Sequence, residues 1–376
     1  MSAVEVRPVG NRRERQIFLT FPWRVYRGDP LWVPPLLPDW SERIDLQRGV
    51  FFKRGTADFF IAWRDGQPVG TICAAEDRQA NEERGVREAV FGFFNFTEDY
   101  AVMEALLGRV REWARERGLD TLTGPYNLDY EDSYGILVEG RDRPPTLMCG
   151  HTPPYYLDFV ERYGFQPARG DNLAYALDLT APNPALDELA GMAARVRARR
   201  NFTVRPADLT HWEEELDRIH GLLNRALRHL PDFRTWPREV VFNSLAPFRT
   251  IADPELVLFG EADGETIGWL PGLPDLNEAF IHAEGLRHPW NYLDLWLRMR
   301  RRPGCLTVKS VLVPPEHWGS GLVILLFDEM VRRARERGYR WIDGSLTSAD
   351  NPRTPALADR LGAKLYKRIR VYRMEV

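Results

Sequence analysis

Short runs of alternating hydrophobic and polar residues, typical of strands, recur along the chain between longer stretches with helical periodicity. The clearest helix covers residues 100–117, where five hydrophobic residues fall on one face. These are Met103, Leu106, Leu107, Val110 and Trp113. Gly118 follows and suits a left-handed C-cap. Asp-Gly pairs at residues 65–66 and 263–264 lie between apolar runs, so they predict two β-hairpins.

The elements occur twice in the same order, because four short segments of the first half have similar counterparts, in the same order, in the second half. Gly70 and Gly268 end one such pair and lie 198 residues apart (268 − 70 = 198). The matched segments are 4–8 with 202–206, 65–70 with 263–268, 114–118 with 334–338, and 161–164 with 359–362. Four matches in one order indicate an internal duplication.

Each copy is predicted to contain a strand, a helix, a hairpin, a strand and helix, a further strand at 121–124 or 341–345, and a final helix and strand. The fold class is therefore α/β (α+β), with two tandem domains that each have a mixed, mostly antiparallel sheet flanked by helices. The boundaries are residues 1–180 and 185–376, and the seam is Ala181-Pro-Asn-Pro184. The strand that leads to the most informative motif is predicted over residues 305–313.

This motif is a strand that runs into a glycine-containing turn, which opens a helix at residues 311–326. Gly319 and Gly321 let the backbone approach a ligand closely. The first amides of the helix and its dipole favour an anion, so the turn predicts a phosphate cradle. A tight turn without a ligand is the structural alternative.

The motif resembles that of the GNAT acyltransferase superfamily, whose glycine loop has the form Q/R-x-x-G-x-G/A. The loop here is Glu316-His-Trp-Gly-Ser-Gly321, with both glycines matched and Glu316 in place of Arg or Gln. A carboxylate near a pyrophosphate is unfavourable unless it turns away or finds a cation. The resemblance implies acetyl-coenzyme A or another acyl-coenzyme A as co-substrate. The implied coenzyme-binding residues are Val311, Val313, His317, Trp318, Gly319, Ser320, Gly321, Leu322 and Asn351.

The candidates for the general acid and the general base lie outside the glycine turn. Many members of the superfamily carry a general-acid tyrosine on the last helix, and Ala358 occupies that place here. Tyr366 is the substitute in the final strand region. Asp275 is the first candidate for a general base, and with Asn277 it forms a candidate site for the substrate amine. The alternative for Asp275 is helix capping, and Asn351 has the same alternative.

The first copy differs at the corresponding junction, residues 94–101, which has no glycine pair. Glu98 and Asp99 lie at the start of its helix and would repel phosphate, so this copy is predicted not to bind coenzyme A in the usual manner. Its additional residues fall within 126–154, an elaborated loop rich in polar and aromatic groups. Candidate substrate-binding residues in and beside it are Tyr126, Asn127, Asp132, His151, Tyr155 and Tyr156. Packing between the copies is the alternative.

Composition narrows the function classes. The net charge of −3 does not favour nucleic acid or an anionic membrane as partner, and no apolar run is long enough to span a bilayer. Three widely spaced cysteines form no metal or disulfide pattern, so no metal and a reducing cytoplasm are expected. The arginine clusters at residues 195–200 and 298–302 are interpreted as solvated helix surface, or alternatively as a basic rim for an acidic substrate or a coenzyme phosphate.

The whole chain also resembles a bacterial group of large GNAT-like proteins. The shared motifs include Asp29-Pro-Leu-Trp-Val-Pro-Pro35, Pro153-Pro-Tyr-Tyr156 and Tyr366-Lys-Arg-Ile-Arg-Val-Tyr372. The resulting prediction is a transferase: an acyl-coenzyme A-dependent N-acyltransferase, with acetyl as the favoured group and a small-molecule or peptide amine as acceptor. A homodimer is compatible with this reading. The alternatives are a non-catalytic acyl-coenzyme A or metabolite-binding protein and an aminoacyl-tRNA-dependent transferase, which the acidic balance disfavours.

Overall fold

The computed structural model describes residues 2–376 apart from 129, 131, 230–232, 234 and 352. Of residue 247 it describes the backbone but not the side chain. The chain forms two compact units. The first comprises residues 1–172, 277–301 and 367–376, and the second comprises residues 173–276 and 302–366.

The strands are β1 (Glu5–Pro8), β2 (Gly55–Arg64), β3 (Gln67–Asp77), β4 (Glu88–Phe96), β5 (Thr121–Gly124), β6 (Ile136–Glu139), β7 (Gln166–Pro167), β8 (Asn172–Asp178), β9 (Phe202–Pro206), β10 (Val257–Ala262), β11 (Glu265–Pro274), β12 (Cys305–Val308), β13 (Trp341–Ser348), β14 (Lys364–Arg370) and β15 (Tyr372–Glu375). The α-helices are α1 (Arg12–Thr20), α2 (Pro22–Val25), α3 (Leu37–Arg43), α4 (Arg78–Arg84), α5 (Tyr100–Glu116), α6 (Tyr155–Tyr163), α7 (Pro184–Arg199), α8 (Trp212–Ala226), α9 (Arg238–Leu245), α10 (Asn277–Phe280), α11 (Pro289–Met299), α12 (Leu322–Glu336) and α13 (Arg353–Arg360).

The first unit is built on a sheet with the order β1-β2-β3-β4-β5-β15-β7. Strands β4 and β5 run parallel, and the other neighbours run antiparallel. The β2–β3 hairpin turns through Asp65 and Gly66 with φ values of 50° and 73°, which confirms the predicted turn. All five residues predicted for the inner face of α5 are buried in the core of this unit.

The second sheet has the order β6-β14-β8-β13-β12-β11-β10-β9, and its strands from β14 to β9 repeat this pattern. Here β12 and β13 are the parallel pair, and β9, β10, β11 and β12 form an antiparallel series. Helix α12 packs on the sheet through Leu322, Leu326 and Met330. Two mixed, mostly antiparallel sheets flanked by helices confirm the predicted fold class.

The closing strands of the two repeats are exchanged. Strand β8 ends the first repeat along the chain but lies between β13 and β14 of the second unit's sheet. Strand β15 ends the second repeat but lies between β5 and β7 of the first unit's sheet. The compact units therefore differ from the contiguous ranges 1–180 and 185–376, because the internal match identifies the strands of each repeat but not the sheet that each one joins.

The strand predicted over residues 305–313 is wrong in its length. Strand β12 ends at Val308, and further along only Leu312 forms a bridge, through two 2.9 Å backbone hydrogen bonds with Trp269. The segment bends because the side chain of Lys309 turns towards β13, and Pro314 and Pro315, which follow it, cannot donate backbone hydrogen bonds to a ladder.

Candidate functional site

The second unit has an opening in its sheet where the parallel strands separate. Strands β12 and β13 pair from Cys305 with Trp341 as far as Val308 with Gly344. Strand β13 then continues to Ser348, while the chain after β12 follows β11 through the Leu312 bridge. A gap bounded by residues 309–313 and 345–348 follows from this divergence.

A cluster of polar side chains lies at the point of separation. Asp343 has no exposed surface, and its Oδ2 accepts hydrogen bonds from Lys309 Nζ at 3.0 Å and Ser345 Oγ at 2.6 Å. Tyr366 donates its hydroxyl to Asp343 Oδ1 at 2.8 Å, and Lys309 Nζ also donates to Ser345 Oγ at 2.7 Å. A buried carboxylate is stable here because it has a cation and two hydroxyl donors.

The three catalytic candidates from the sequence do not form one cluster. Tyr366 belongs to the Asp343 cluster. Asp275 is buried beside the start of β12, where its amide donates to Cys305 O at 3.1 Å. Asn277 is buried in the first unit, and its amide group donates to Pro145 O at 3.0 Å. Because Cys305 precedes the end of β12 by three residues, Asp275 lies about 10 Å along the strand from the separation point. Its role as a base stays a prediction.

The glycine turn has the backbone expected of a cradle. Gly319 and Gly321 have φ values of 74° and 95°. Helix α12 begins directly after Gly321, which occupies the N-cap position and has no side chain to cap the first turn. A Cβ on Gly319 would meet no atom within 4 Å, whereas one on Gly321 would lie 2.7 Å from Val196 Cγ2. Ser320 Oγ accepts from Leu322 N at 3.3 Å. The turn is therefore closely packed at Gly321 and open at Gly319.

Cations balance the unusual glutamate of this turn. Arg225 contacts Glu316 Oε1 at 3.0 Å and Glu265 Oε1 at 2.7 Å. A hydrogen bond from its own backbone amide and the one from Arg225 lower the pKa of Glu316. The Arg353 guanidinium lies 3.9 Å from the centre of the Trp318 ring. Glu316 thus has the cation that the sequence argument required.

The remaining predicted coenzyme residues line this region. Val313 is buried and accepts a 2.8 Å hydrogen bond from Trp318 Nε1 at its carbonyl; Val311 and His317 are half-buried. Asn351 Oδ1 accepts from Arg353 N, the first residue of α13, at 3.2 Å. The preceding motif Ser348–Pro352 ends at a residue outside the described part of the chain. Coenzyme contact by these residues stays a prediction.

The first unit has a corresponding separation that its own side chains fill. Strands β4 and β5 pair as far as Val90 with Thr123, and β4 continues to Phe96. Asn127 Oδ1 accepts from Phe93 N at 2.8 Å, and Tyr156 OH accepts from Phe96 N at 3.1 Å. Tyr155 OH donates to Phe96 O at 2.6 Å. The strand edge that would face a coenzyme is therefore hydrogen-bonded within the protein.

The helix start in the first unit is also closed to an anion. Asp99 caps α5 by accepting from Ala101 N at 3.0 Å, and it forms an ion pair with Arg64. The hydrogen bond from Arg64 lowers the pKa of Asp99 and keeps it charged. This geometry supports the prediction that the first copy does not hold the coenzyme.

The other predicted substrate residues have structural contacts in the first unit. Tyr126 is buried with its ring 4.7 Å from that of Tyr130. Asp132 accepts from Arg43 at 2.9 Å. His151 Nε2 lies 2.7 Å from Asp29 Oδ2, and burial lowers the pKa of His151 although Asp29 opposes this effect. Substrate contact by these residues and by Asn127, Tyr155 and Tyr156 stays a prediction.

Several residues of the site were missed from the sequence: Asp343, Ser345, Arg225 and Arg353. Asp343 had a detectable signal, because a carboxylate at the centre of the strand segment Trp341-Ile-Asp-Gly-Ser345 is unusual unless it has a partner. Arg225 and Arg353 had no signal, since arginine is common on helix surfaces.

Within the described residues, three further observations concern metal ions, membrane-spanning helices and the cysteines. These residues contain no group of three or more His, Cys, Asp or Glu residues placed to hold a metal ion. Their helices include none with the length and hydropathy needed to cross a membrane. Cys73, Cys149 and Cys305 are buried, as expected of structural thiols, and burial raises the pKa of Cys73.

Comparison with known proteins finds a matching family and similar solved structures. Residues 216–363 match the acetyltransferase (GNAT) family. The fold resembles a tandem GNAT protein from the clavulanic acid biosynthesis pathway, with a TM-score of 0.58, 15% identity, and coverage of 99% of this chain and 98% of that one. A GCN5-related N-acetyltransferase from Sphaerobacter thermophilus gives a TM-score of 0.52 at 16% identity, over 90% of this chain and 84% of that one.

Two relatives match almost the whole chain. One is the bacterial ceramide synthase of Caulobacter vibrioides, 27% identical over 98% of this chain and 97% of that protein. The other is protein YghO of Escherichia coli K12, 26% identical over 99% of this chain and 95% of that protein. Both span the two repeats.

Proposed function

We propose that the chain is a member of the GNAT superfamily, with two tandem GNAT-like domains, and that it is an acyl-coenzyme A-dependent N-acyltransferase. One observation carries the proposal: the buried Asp343 cluster lies where β12 and β13 separate, and the chain leaving β12 leads directly into the glycine turn. A reactive centre and a phosphate cradle are thereby held by one continuous segment.

The residues present fit a coenzyme pyrophosphate at the glycine turn. Two left-handed glycines bring the backbone to the surface, and the first amides of α12 and its dipole favour an anion. Arg353 adds a cation on Trp318, and Arg225 offsets the charge of Glu316. In the first unit, Asp99 already occupies the corresponding helix start. One coenzyme per chain, in the second unit, follows from this asymmetry.

The chemistry requires one proton to leave the amine and one to reach the departing thiolate. The amine nitrogen attacks the thioester carbonyl, a C–N bond forms and the C–S bond breaks. A group that both accepts and releases a proton can serve the two steps. Tyr366, whose hydroxyl is hydrogen-bonded to the buried Asp343, is such a group, and Lys309 stabilises the negative charge on Asp343.

The acceptor proposed is the amine of a long-chain amino alcohol. The Caulobacter relative, which is named a ceramide synthase and spans both repeats of this chain, supports this acceptor. The matching donor would then be a fatty acyl-coenzyme A, whereas the sequence favoured acetyl.

The test is to supply acetyl-coenzyme A and a series of longer acyl-coenzymes with a long-chain amino alcohol, a short amine and a peptide. Thiol release and the mass of the product are followed together. An N-acylated amino alcohol is the expected product. Acylation of the peptide alone would contradict the lipid acceptor but not the reaction.

A binding protein without catalysis is the second candidate, because Ala358 is buried against Leu173 and Tyr175 where many members of the superfamily carry tyrosine. In that case acyl-coenzyme A would raise the thermal stability, since a ligand of the folded state stabilises it. No thiol would be released with any of the amines.

A further inference from the structure

Helix α11 places its hydrophobic residues outwards. Of the ten large hydrophobic residues exposed within the described chain, six lie in this helix. Trp290 is 65% exposed and Leu293 is 60% exposed. The others are Tyr292, Trp296, Leu297 and Met299. A contiguous exposed apolar surface of this kind is typical of an interaction site.

The one buried residue of this helix is polar. Asn291 is buried, and its Oδ1 accepts from His288 N at 2.9 Å. Asp294 pairs with Arg298 one turn later at 2.8 Å. Because six large hydrophobic side chains of α11 are exposed, packing within the first unit does not explain them.

The helix is held firmly at its start. His288 and Asn291 form a capping box, and Pro289 occupies the first turn. Before it, Gly285 packs so closely that a Cβ would lie 2.5 Å from Trp23 Cζ2, and Arg287 lies over the Trp23 ring at 5.3 Å. The apolar face is therefore presented by an anchored element.

Positive charge borders this face. Residues 287–302 contain five arginines and one aspartate, a balance of +4 without histidine (5 − 1 = 4). The Arg300 guanidinium lies 3.7 Å from the centre of the Trp296 ring. Arg301 and Arg302 continue the run, and Arg302 also donates to Arg337 O. Tryptophan, tyrosine and leucine beside arginine are the composition of helices that lie in the interface of a bilayer.

We propose that the outward face of α11 docks on an anionic lipid bilayer, with its tryptophans and leucines in the interface and its arginines on lipid phosphates. Charge selects this occupant over a second copy of the chain, because the same face of a second copy would carry the same net positive charge. The inference does not depend on the proposed reaction. It replaces the expectation of no membrane partner, which was based on the net charge and on the lack of a spanning segment.

The test is flotation of the full chain with vesicles of phosphatidylcholine, with and without phosphatidylglycerol. The chain should float with the anionic vesicles, and salt should weaken this binding. Trp296→Ser and Arg300→Glu should each reduce the partition coefficient by about fivefold or more. Leu46→Ser and Arg13→Glu, which change exposed residues elsewhere, should bind as the wild type does.

Three results would overturn the proposal. The first is that the wild type fails to float with anionic vesicles. The second is that the α11 variants float as well as the wild type does. The third is that another molecule occupies the face. Light scattering identifies the last case if Trp296→Ser converts a dimer to a monomer while no vesicle binding occurs. Binding of an RNA duplex by Arg300 without any affinity for vesicles would be equally decisive.

Discussion

At the scale of single residues, the buried carboxylate of Asp343 is the centre of the site. Lys309, Ser345 and Tyr366 contact its two oxygens, and none of these contacts is needed to close the sheet, since β12 and β13 pair through their backbones. Retaining a charge in a fully buried position costs free energy unless its partners compensate. The arrangement is therefore more consistent with chemistry than with packing.

Tyr366→Phe should lower kcat by about a hundredfold or more if the hydroxyl transfers the proton, because acid–base groups contribute on that scale. KM for the coenzyme should change little, since the glycine turn is untouched. Steady-state thiol release measures both quantities. A matched control is Tyr372→Phe, which removes a hydroxyl bonded to Glu161 in the first unit. Equal losses in the two variants would assign Tyr366 a structural role.

Lys367 gives a residue-scale prediction about pH. It is buried, donates to Gly140 O and Arg143 O, and has its pKa lowered by burial from 10.5 to about 8. Between about pH 8 and pH 10.5 the unfolded chain binds more protons at this residue than the folded chain does. The contribution of Lys367 to the free energy of unfolding therefore rises with pH across that window and is constant below about pH 8.

The measurement is urea unfolding from pH 7 to pH 10 for the wild type and Lys367→Met. The wild type should gain stability relative to the variant as pH rises above about 8, by at most about 1.4 kcal/mol per pH unit. Lys364→Met, at an exposed position on the same strand, is the control and should follow the wild type. Parallel curves for Lys367→Met and the wild type would mean that Lys367 titrates normally.

At the scale of elements, the glycine turn and the helix behind it can be tested together. Gly319→Val should abolish the rise in thermal stability that coenzyme A produces, because its side chain would occupy the open space in front of the turn. The left-handed φ also costs stability, by about 1–2 kcal/mol. Gly118→Val controls for this cost, since Gly118 has a φ of 68° and equally open space. If both variants keep the stabilisation by coenzyme A, the turn is purely structural.

Elements with a local signal were predictable. The Asp-Gly turns at residues 65 and 263 require left-handed backbone, and both have it. The glycine turn was also identified, because its position between strand and helix is local. The end of β12 was not, because residues 311–313 are apolar again although the pairing with β13 stops at Val308 and only the bridge between Leu312 and Trp269 follows. The periodicity of α11 likewise cannot specify which of its faces points outwards.

At the scale of the whole molecule, the duplication was predictable and the exchange of strands was not. A repeat in sequence gives two copies of each element, but β8 and β15 occupy equivalent places in the two sheets, so either assignment satisfies the same pattern. The Asp343 cluster was incomplete in the sequence for a similar reason. Tyr366 and Asp343 are 23 residues apart on strands that are not neighbours in the sheet.

The exchange predicts how the chain responds to truncation. Strand β15 pairs with β5 from Tyr372 with Gly124 to Glu375 with Thr121, and Tyr372 is fully buried in the first unit's core. Removing residues 372–376 would expose the edge of β5 and leave a cavity at Tyr372. We expect hydrogen exchange of β5 and α5 to accelerate, while α12 of the second unit stays protected.

Exchange measured by mass spectrometry on the full-length and shortened chains tests this, and Tyr372→Phe shows how much comes from the Glu161 hydrogen bond alone. A peptide of residues 367–376 added to the shortened chain should restore protection of β5, because it supplies the missing strand. Unchanged protection of β5 after the truncation would contradict the exchange. So would residues 1–180 alone giving the protection of the intact chain, since contiguous halves would then be complete domains without β15.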